Sequence, residues 1–278
     1  MEKAETIDTA MPEEMIKRQP DTDYGELVKI EYGSHLTTKL RRAQVLLPPE
    51  YGKEKEYPVV YLLHGVGGDE KEWFFGHPQE IIGNLIKAGE IPEIIAVFPN
   101  ERVREDDRRN PPDVFSLQHF QAFDRFLIDL EQNLMPFMKC RFQVREGREH
   151  TAIAGFSMGG REALFIGFQR PELFGYIGAF SPAFGLFPYT NNGVTEEGLI
   201  PEDKFKISQE YPTFVMIMTG KHDDVIYREP ERYHRALVKN KMPHLYYEIP
   251  GGHDFEVWDN GLYHFCLLYT SDAADEAR

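Results

Sequence analysis

The sequence predicts an α/β fold, with a mainly parallel central sheet, helices on both faces and an N-terminal antiparallel hairpin. Three observations carry this. Residues 57–63 and 94–98 are near-continuous apolar runs, as expected of strands buried on both faces. Segments with helical spacing of apolar residues lie between such runs, so strand and helix alternate. Glycine-rich turns at 64–68, 155–160 and 251–252 mark places where a chain leaving a sheet must bend tightly.

The elements follow in order. Residues 1–20 are charged and aperiodic, a lead-in expected to be poorly ordered. A single domain is then expected over 21–265, with no internal repeat and no linker. Residues 25–32 and 40–47 are rich in strand formers, and Pro48, Pro49 and Gly52 close the pair as an antiparallel hairpin. The strand 57–63 leads into the tight turn 64–68. A helix over 78–88 and a buried strand over 94–98 come next, then a charged, proline-bounded loop over 101–112. Phe120, Phe123, Leu127, Leu130 and Leu134 recur at spacings of three and four, a helical stripe that packs into a core. Another apolar run ends at Ser157, and a helix follows over 158–168. A strand over 176–180, an irregular segment over 181–208, a strand over 213–218, a helix over 231–240 and a last strand over 244–249 complete the pattern. Residues 266–278 read like the translation of a transposase-type sequencing adapter, so they are expected to be a non-native tail and are set aside.

Composition narrows the function. No run approaches the roughly 18 apolar residues of a membrane span, and a net charge of −15 argues against nucleic acid or an anionic membrane as partner. Two cysteines, Cys140 and Cys266, make neither a disulfide framework nor a thiolate metal site. The first twenty residues lack the apolar core of a signal peptide, so a cytoplasmic location is the default; a module cut from a larger secreted protein would read the same. There is no phosphate loop of the Walker type, no dinucleotide-binding turn and no spacing of a structural zinc site.

The chemistry centres on Gly155-Phe156-Ser157-Met158-Gly159. Small residues two before and two after a serine let a strand turn sharply into a helix and present the hydroxyl, an arrangement known as a nucleophile elbow. A serine hydroxyl is a poor nucleophile at neutral pH and needs a general base, itself oriented by a carboxylate. His253, in a glycine-rich turn after the last strand, is the candidate base. For the acid, Asp223 and Asp224 compete at the end of the strand 213–218; neighbouring side chains diverge, so one of them meets the imidazole. Asp254 is too near His253 in sequence for its side chain to turn back. The Met158 N–H, at a helix N-terminus, and the Val66 N–H, in the turn 64–68, are the expected oxyanion donors. His64 is expected to brace that turn.

These motifs, in this order, resemble the esterase D-like α/β-hydrolases, and among them the feruloyl and acetylxylan esterases of plant cell-wall breakdown. The likeness runs from about residue 24 to 265. It includes Leu46 to Pro49 with Tyr51, Tyr61 to Gly68 with Trp73, Arg148 to His150, Ala152 to Gly160, Gly220 with Asp223, and Gly251 to Trp258. The resemblance implies an α/β-hydrolase fold with Ser157 as nucleophile, His253 as base, Asp223 as acid, and Val66 and Met158 as oxyanion donors, without metal or cofactor. It also implies that Trp258 lines an acyl or phenolic pocket and that His150 is structural. Gly65 and Phe184 complete the expected substrate contacts, although Phe184, Phe187 and Tyr189 can either grip a phenolic ring or pack their loop. The expected activity is hydrolysis of feruloyl or acetyl esters on xylan-derived saccharides, the partner being a small-molecule or oligosaccharide ester. An acyltransferase, a thioester or siderophore esterase, and an inactive binding module are the alternatives.

Overall fold

The structure, a computed structural model, describes residues 10–191 and 194–275. Its strands are β1 (Glu26–Tyr32), β2 (Arg41–Leu47), β3 (Val59–Leu63), β4 (Ile95–Pro99), β5 (Thr151–Phe156), β6 (Tyr176–Phe180), β7 (Tyr189–Asn191), β8 (Val194–Glu196), β9 (Phe214–Gly220) and β10 (Leu245–Ile249). Eight of them form one sheet in the order β1-β2-β4-β3-β5-β6-β9-β10. β1 and β2 are antiparallel, as are β2 and β4, and every neighbouring pair from β4 to β10 is parallel. A parallel pair needs a crossover, and right-handed crossovers place helices on both faces.

The strands sort their side chains with the period of two that the pleat imposes. Val60, Leu62, Ala152 and Ala154 point to one face, against Ile81 and Leu85 of α1 (Pro78–Ala88) and Leu262 and Phe265 of α7 (Phe255–Asp275). Val59, Tyr61, Leu63 and Ile153 point to the other. A helical run, α2 (Leu117–Asp124), α3 (Phe126–Asp129) and α4 (Met135–Arg141), follows β4, and α3 and α4 cover that face together with α5 (Met158–Gln169) and α6 (Glu229–Lys239). Every position of β3, β4, β5 and β6 is buried, which is why these strands read as unbroken apolar runs.

The structure departs from the sequence reading in five places. The turn of the β1–β2 hairpin lies at 33–40, while Pro48, Pro49 and Gly52 lead away from β2. The helical stripe begins at 117, where the Ser116 Oγ accepts the His119 N–H at 3.1 Å, and passes through a π turn at Leu130–Leu134; Pro136 lacks the N–H that would continue the α pattern. The segment 181–208 carries the β7–β8 ribbon, and its Phe187 is fully buried against Phe205 and Tyr233. Residues 1–9 lie outside the described residues, but 10–20 are no loose lead-in: Met11, Met15 and Ile16 pack on the core, and the Asn84 side chain donates to the carbonyls of Glu14, Met15 and Lys17. The tail set aside from fold reasoning extends α7, with Cys266 and Tyr269 buried and the Tyr269 hydroxyl donating to the His150 carbonyl at 2.8 Å; residues 276–278 lie outside the described residues.

Candidate active site

β5 ends at Phe156 and α5 begins at Met158, leaving Ser157 alone to make the turn, at φ 53° and ψ −118°. That backbone is costly for a residue with a Cβ, so the surroundings must hold it. They do so through both of its peptide groups. The Ser157 N–H donates to the Phe180 carbonyl at 2.9 Å, and its carbonyl accepts from the N–H groups of Ala183 and Arg161. Two glycines make room. A Cβ on Gly155 would come within 2.5 Å of the Gly159 carbonyl, and one on Gly159 within 2.4 Å of the Leu63 carbonyl oxygen.

Beside this turn the loops after β9 and β10 deliver two further groups. The Ser157 Oγ lies 2.9 Å from Nε2 of His253, and Nδ1 of the same ring lies 2.7 Å from Oδ2 of Asp223. The other oxygen, Oδ1, accepts the backbone N–H groups of Val225 at 3.1 Å and Ile226 at 3.2 Å. Burial is the largest influence on this carboxyl and pushes its pKa up. The hydrogen bond and charge of His253, with the two N–H donors, outweigh it and hold the carboxyl below the usual aspartate value. Asp224 is exposed. Asp254 turns away to accept the Val257 N–H at the start of α7. Trp258, one turn into α7, meets the His253 ring edge-on at 5.0 Å and stacks on Phe156 at 4.2 Å. With 7% of its surface exposed, it backs the imidazole and fixes that ring's plane.

The turn after β3 is held at almost every peptide. The Gly65 N–H donates to Glu72 Oε2 at 2.8 Å, its carbonyl accepts from the His64 ring at 2.7 Å, and the Val66 carbonyl accepts from His119 Nε2 at 2.7 Å. The Gly67 carbonyl accepts the Asn110 N–H, and the Gly68 carbonyl accepts from Arg102. Among the described residues, the N–H groups of Val66 and Gly67 have no protein acceptor. Met158 heads α5, where first-turn N–H groups lack a partner within the helix. Thus Val66 and Met158 both offer donors on the loops that flank the serine. His64 donates through Nδ1 and accepts the Glu101 N–H through Nε2. Burial, with the charge of Arg102, pushes its pKa down to about 3, so the ring is a neutral brace.

Sequence reasoning missed Glu72, Arg102 and His119. His119 stands beside the stripe that was read as core packing, and Arg102 within the loop 101–112; nothing local tells that either reaches back to the turn. Of the other expected contacts, Gly65 lies against the Phe156 ring, where a Cβ would sit 3.1 Å away. Phe184 is 37% exposed and faces Tyr189 at 5.2 Å. Both rings line a cleft of about 620 Å³ with Ile226, Tyr227 and the arginines of α6. Among the described residues, no cluster of His, Cys, Asp and Glu is placed to hold a metal, and no helix is long and apolar enough to cross a membrane.

A hydroxyl, an imidazole and a carboxylate in line, with N–H donors at hand, can form and resolve a tetrahedral adduct at an acyl carbon. Fold and geometry together define the class: an α/β-hydrolase with the constellation of a serine hydrolase. Residues 34–265 match the Esterase family model, and the chain belongs to that family. Among solved structures it is similar to a ferulic acid esterase from Anaeromyces mucronatus in complex with ferulic acid, at 35% identity and a TM-score of 0.87, over 94% of this chain and 96% of that one. Among curated proteins it is 34% identical over 167 residues to an endo-1,4-beta-xylanase/feruloyl esterase of Xylanibacter ruminicola, over 58% of this chain and 22% of the relative. It is 26% identical over 244 residues to endo-1,4-beta-xylanase Y of Acetivibrio thermocellus, over 82% of this chain and 20% of the relative. The chain therefore spans about a fifth of the length of these two relatives.

Proposed function

We propose that the chain, acting through residues 21–265 as one catalytic unit, hydrolyses hydroxycinnamoyl esters, feruloyl first, of xylan-derived saccharides through an acyl-enzyme. The observation that carries this reading is the hydrogen-bonded line Ser157, His253, Asp223 in a fold that overlays the ferulic acid esterase over nearly its full length. Ser157 Oγ attacks the ester carbonyl while His253 Nε2 takes its proton, and Asp223 stabilises the imidazolium. The N–H groups of Val66 and Met158 hold the oxyanion, each worth about 3 kcal/mol. His253 then returns the proton to the leaving saccharide hydroxyl, and water repeats the sequence to release the acid.

The alcohol portion is assigned to the cleft of Phe184, Ile226 and Tyr227, which is tied to the triad through Ile226, whose N–H donates to Asp223 Oδ1. Its arginines are matched by carboxylates, Arg228 and Arg235 with Glu231, Arg232 with Glu202 and Glu229. The walls are therefore nearly neutral, and Phe184 and Tyr227 add exposed aromatic faces. Hydrogen-bonding groups beside aromatic faces fit a neutral saccharide better than an anion. The match to a fifth of each of two xylanases supports work as an esterase module beside xylan hydrolysis, which would place it where xylan is.

The test compares ferulate release from methyl ferulate and feruloylated oligosaccharides with hydrolysis of acetylated xylan and short nitrophenyl esters. Ser157→Ala should lower turnover by at least about 10⁴-fold and abolish fluorophosphonate labelling. Turnover that survives this substitution would reject the mechanism. Cleavage of acetylated xylan without release of ferulate would reassign the acyl group.

A further inference from the structure

The His119 imidazole is fully buried at the start of α2, between two groups that leave it no choice of tautomer. Nε2 lies 2.7 Å from the Val66 carbonyl oxygen, which accepts, so Nε2 carries the proton. Nδ1 lies 3.2 Å from Nη1 of Arg104, which donates, so Nδ1 is bare. Burial, helped by Arg102 and Arg104, lowers the pKa of the ring and keeps it neutral. Arg104 is in turn paired with Asp113 at 3.1 Å. Asp113 accepts the Ser116 hydroxyl at 3.4 Å, and the same Ser116 Oγ accepts the His119 N–H. The ring and the backbone of His119 are thus fixed from one cluster.

We propose that Asp113, Arg104 and His119 form a positioning relay that holds Val66 so that its N–H points at the developing oxyanion. The inference rests on the reading of Val66 as an oxyanion donor. Its carbonyl and N–H flank one Cα, and the neighbouring Gly65 N–H and Gly67 carbonyl are already tied by Glu72 and Asn110. The His119 bond removes the remaining freedom at the Val66 carbonyl. Breaking it leaves the donor present but free to drift. Misplacement of a reacting group by about 1 Å costs up to about 100-fold, somewhat less than deleting a donor outright.

His119→Phe keeps an aromatic ring against Phe123, 5.4 Å away, and deletes the donor. On p-nitrophenyl acetate, kcat per fluorophosphonate-titrated site should fall about 10- to 100-fold with KM within about twofold. Inhibition by a boronic acid that forms a tetrahedral adduct should weaken by the same factor. His119→Gln, whose amide N–H can reach the Val66 carbonyl, should recover most of the loss. A loss confined to the number of titratable sites or to KM overturns the relay. Arg104→Met should cost several-fold more kcat beside His119 than in the His119→Gln background, because an amide has no tautomer to select. Equal costs in the two backgrounds also overturn it. Turnover of the same ester by Ser157→Ala would discard the esterase reading itself, whatever the His119 variants do.

Discussion

Asp223→Asn exchanges one oxygen for an amide nitrogen, and the hydrogen bonds around the carboxylate decide which way the amide must face. Oδ1 accepts two backbone N–H groups, from Val225 and Ile226, so the amide oxygen has to stay there. The NH₂ is then forced onto His253 Nδ1, where the carboxylate stood at 2.7 Å. A donor at that position requires an unprotonated Nδ1, which puts the ring proton on Nε2, facing the Ser157 Oγ. Under the proposed mechanism Nε2 can then no longer take the Ser157 proton in the ground state, and an imidazolium also loses its counter-charge. The same swap of tautomer in a serine-protease triad costs about 10⁴-fold in kcat, equivalent to about 5 kcal/mol of barrier. Because the exchange is isosteric, melting temperature should change by no more than a few degrees. Asp224→Asn, at an exposed side chain, should change kcat by less than about twofold. The assay is steady-state hydrolysis of p-nitrophenyl acetate, corrected by active-site titration. More than about a tenth of wild-type kcat in Asp223→Asn, or a larger loss in Asp224→Asn, would refute the tautomer argument.

Two further outcomes concern stability. His64 has a folded pKa of about 3, below the ordinary value near 6.5, so the folded chain binds fewer protons than the unfolded one between those values. Its contribution is complete above about pH 6.5 and falls as the pH drops toward 3, by about 3 kcal/mol at pH 4. Urea unfolding at pH 7 and pH 4 measures this. His64→Gln should flatten the difference, and an undiminished loss in that variant would reject the assignment. Gly159→Ala would drive a Cβ into the Leu63 backbone carbonyl. A cost of about 3 kcal/mol is expected, seen as a drop of roughly 6 to 12 °C in melting temperature; an unchanged melt would show that the α5 start yields more easily than its contacts imply.

What could be read from the residues is what local pattern encodes. The strands β3 to β6 are buried at every position, so they announce themselves as apolar runs, and the glycines around Ser157 mark the turn by their size. The order serine, aspartate, histidine follows from that topology. The choice between Asp223 and Asp224 did not, because it depends on which side chain the turn after β9 aims inward. The β7–β8 ribbon escaped notice since its strands are three residues each, too short for a period of two to register. The ordered part of the lead-in escaped for another reason. Its residues are held by distant side chains of α1, Asn84, Glu80 and Lys87 among them, and by Met11, Met15 and Ile16 packing on the core. Trp258 was read as a pocket wall, and its edge-on contact with His253 depends on the angle at which α7 leaves the turn.

Two aromatic residues that line the cleft are each one residue from a bond to the triad. Phe184 follows Ala183, whose N–H holds the Ser157 carbonyl, and Tyr227 follows Ile226, whose N–H holds Asp223. A ligand that touches these rings loads the same backbone that holds Ser157 and Asp223. Contacts made that far from the ester can then favour the transition state over the bound ground state. The size of the alcohol would register in the turnover number more than in the apparent affinity, so that such an enzyme sorts its esters by how fast it releases them.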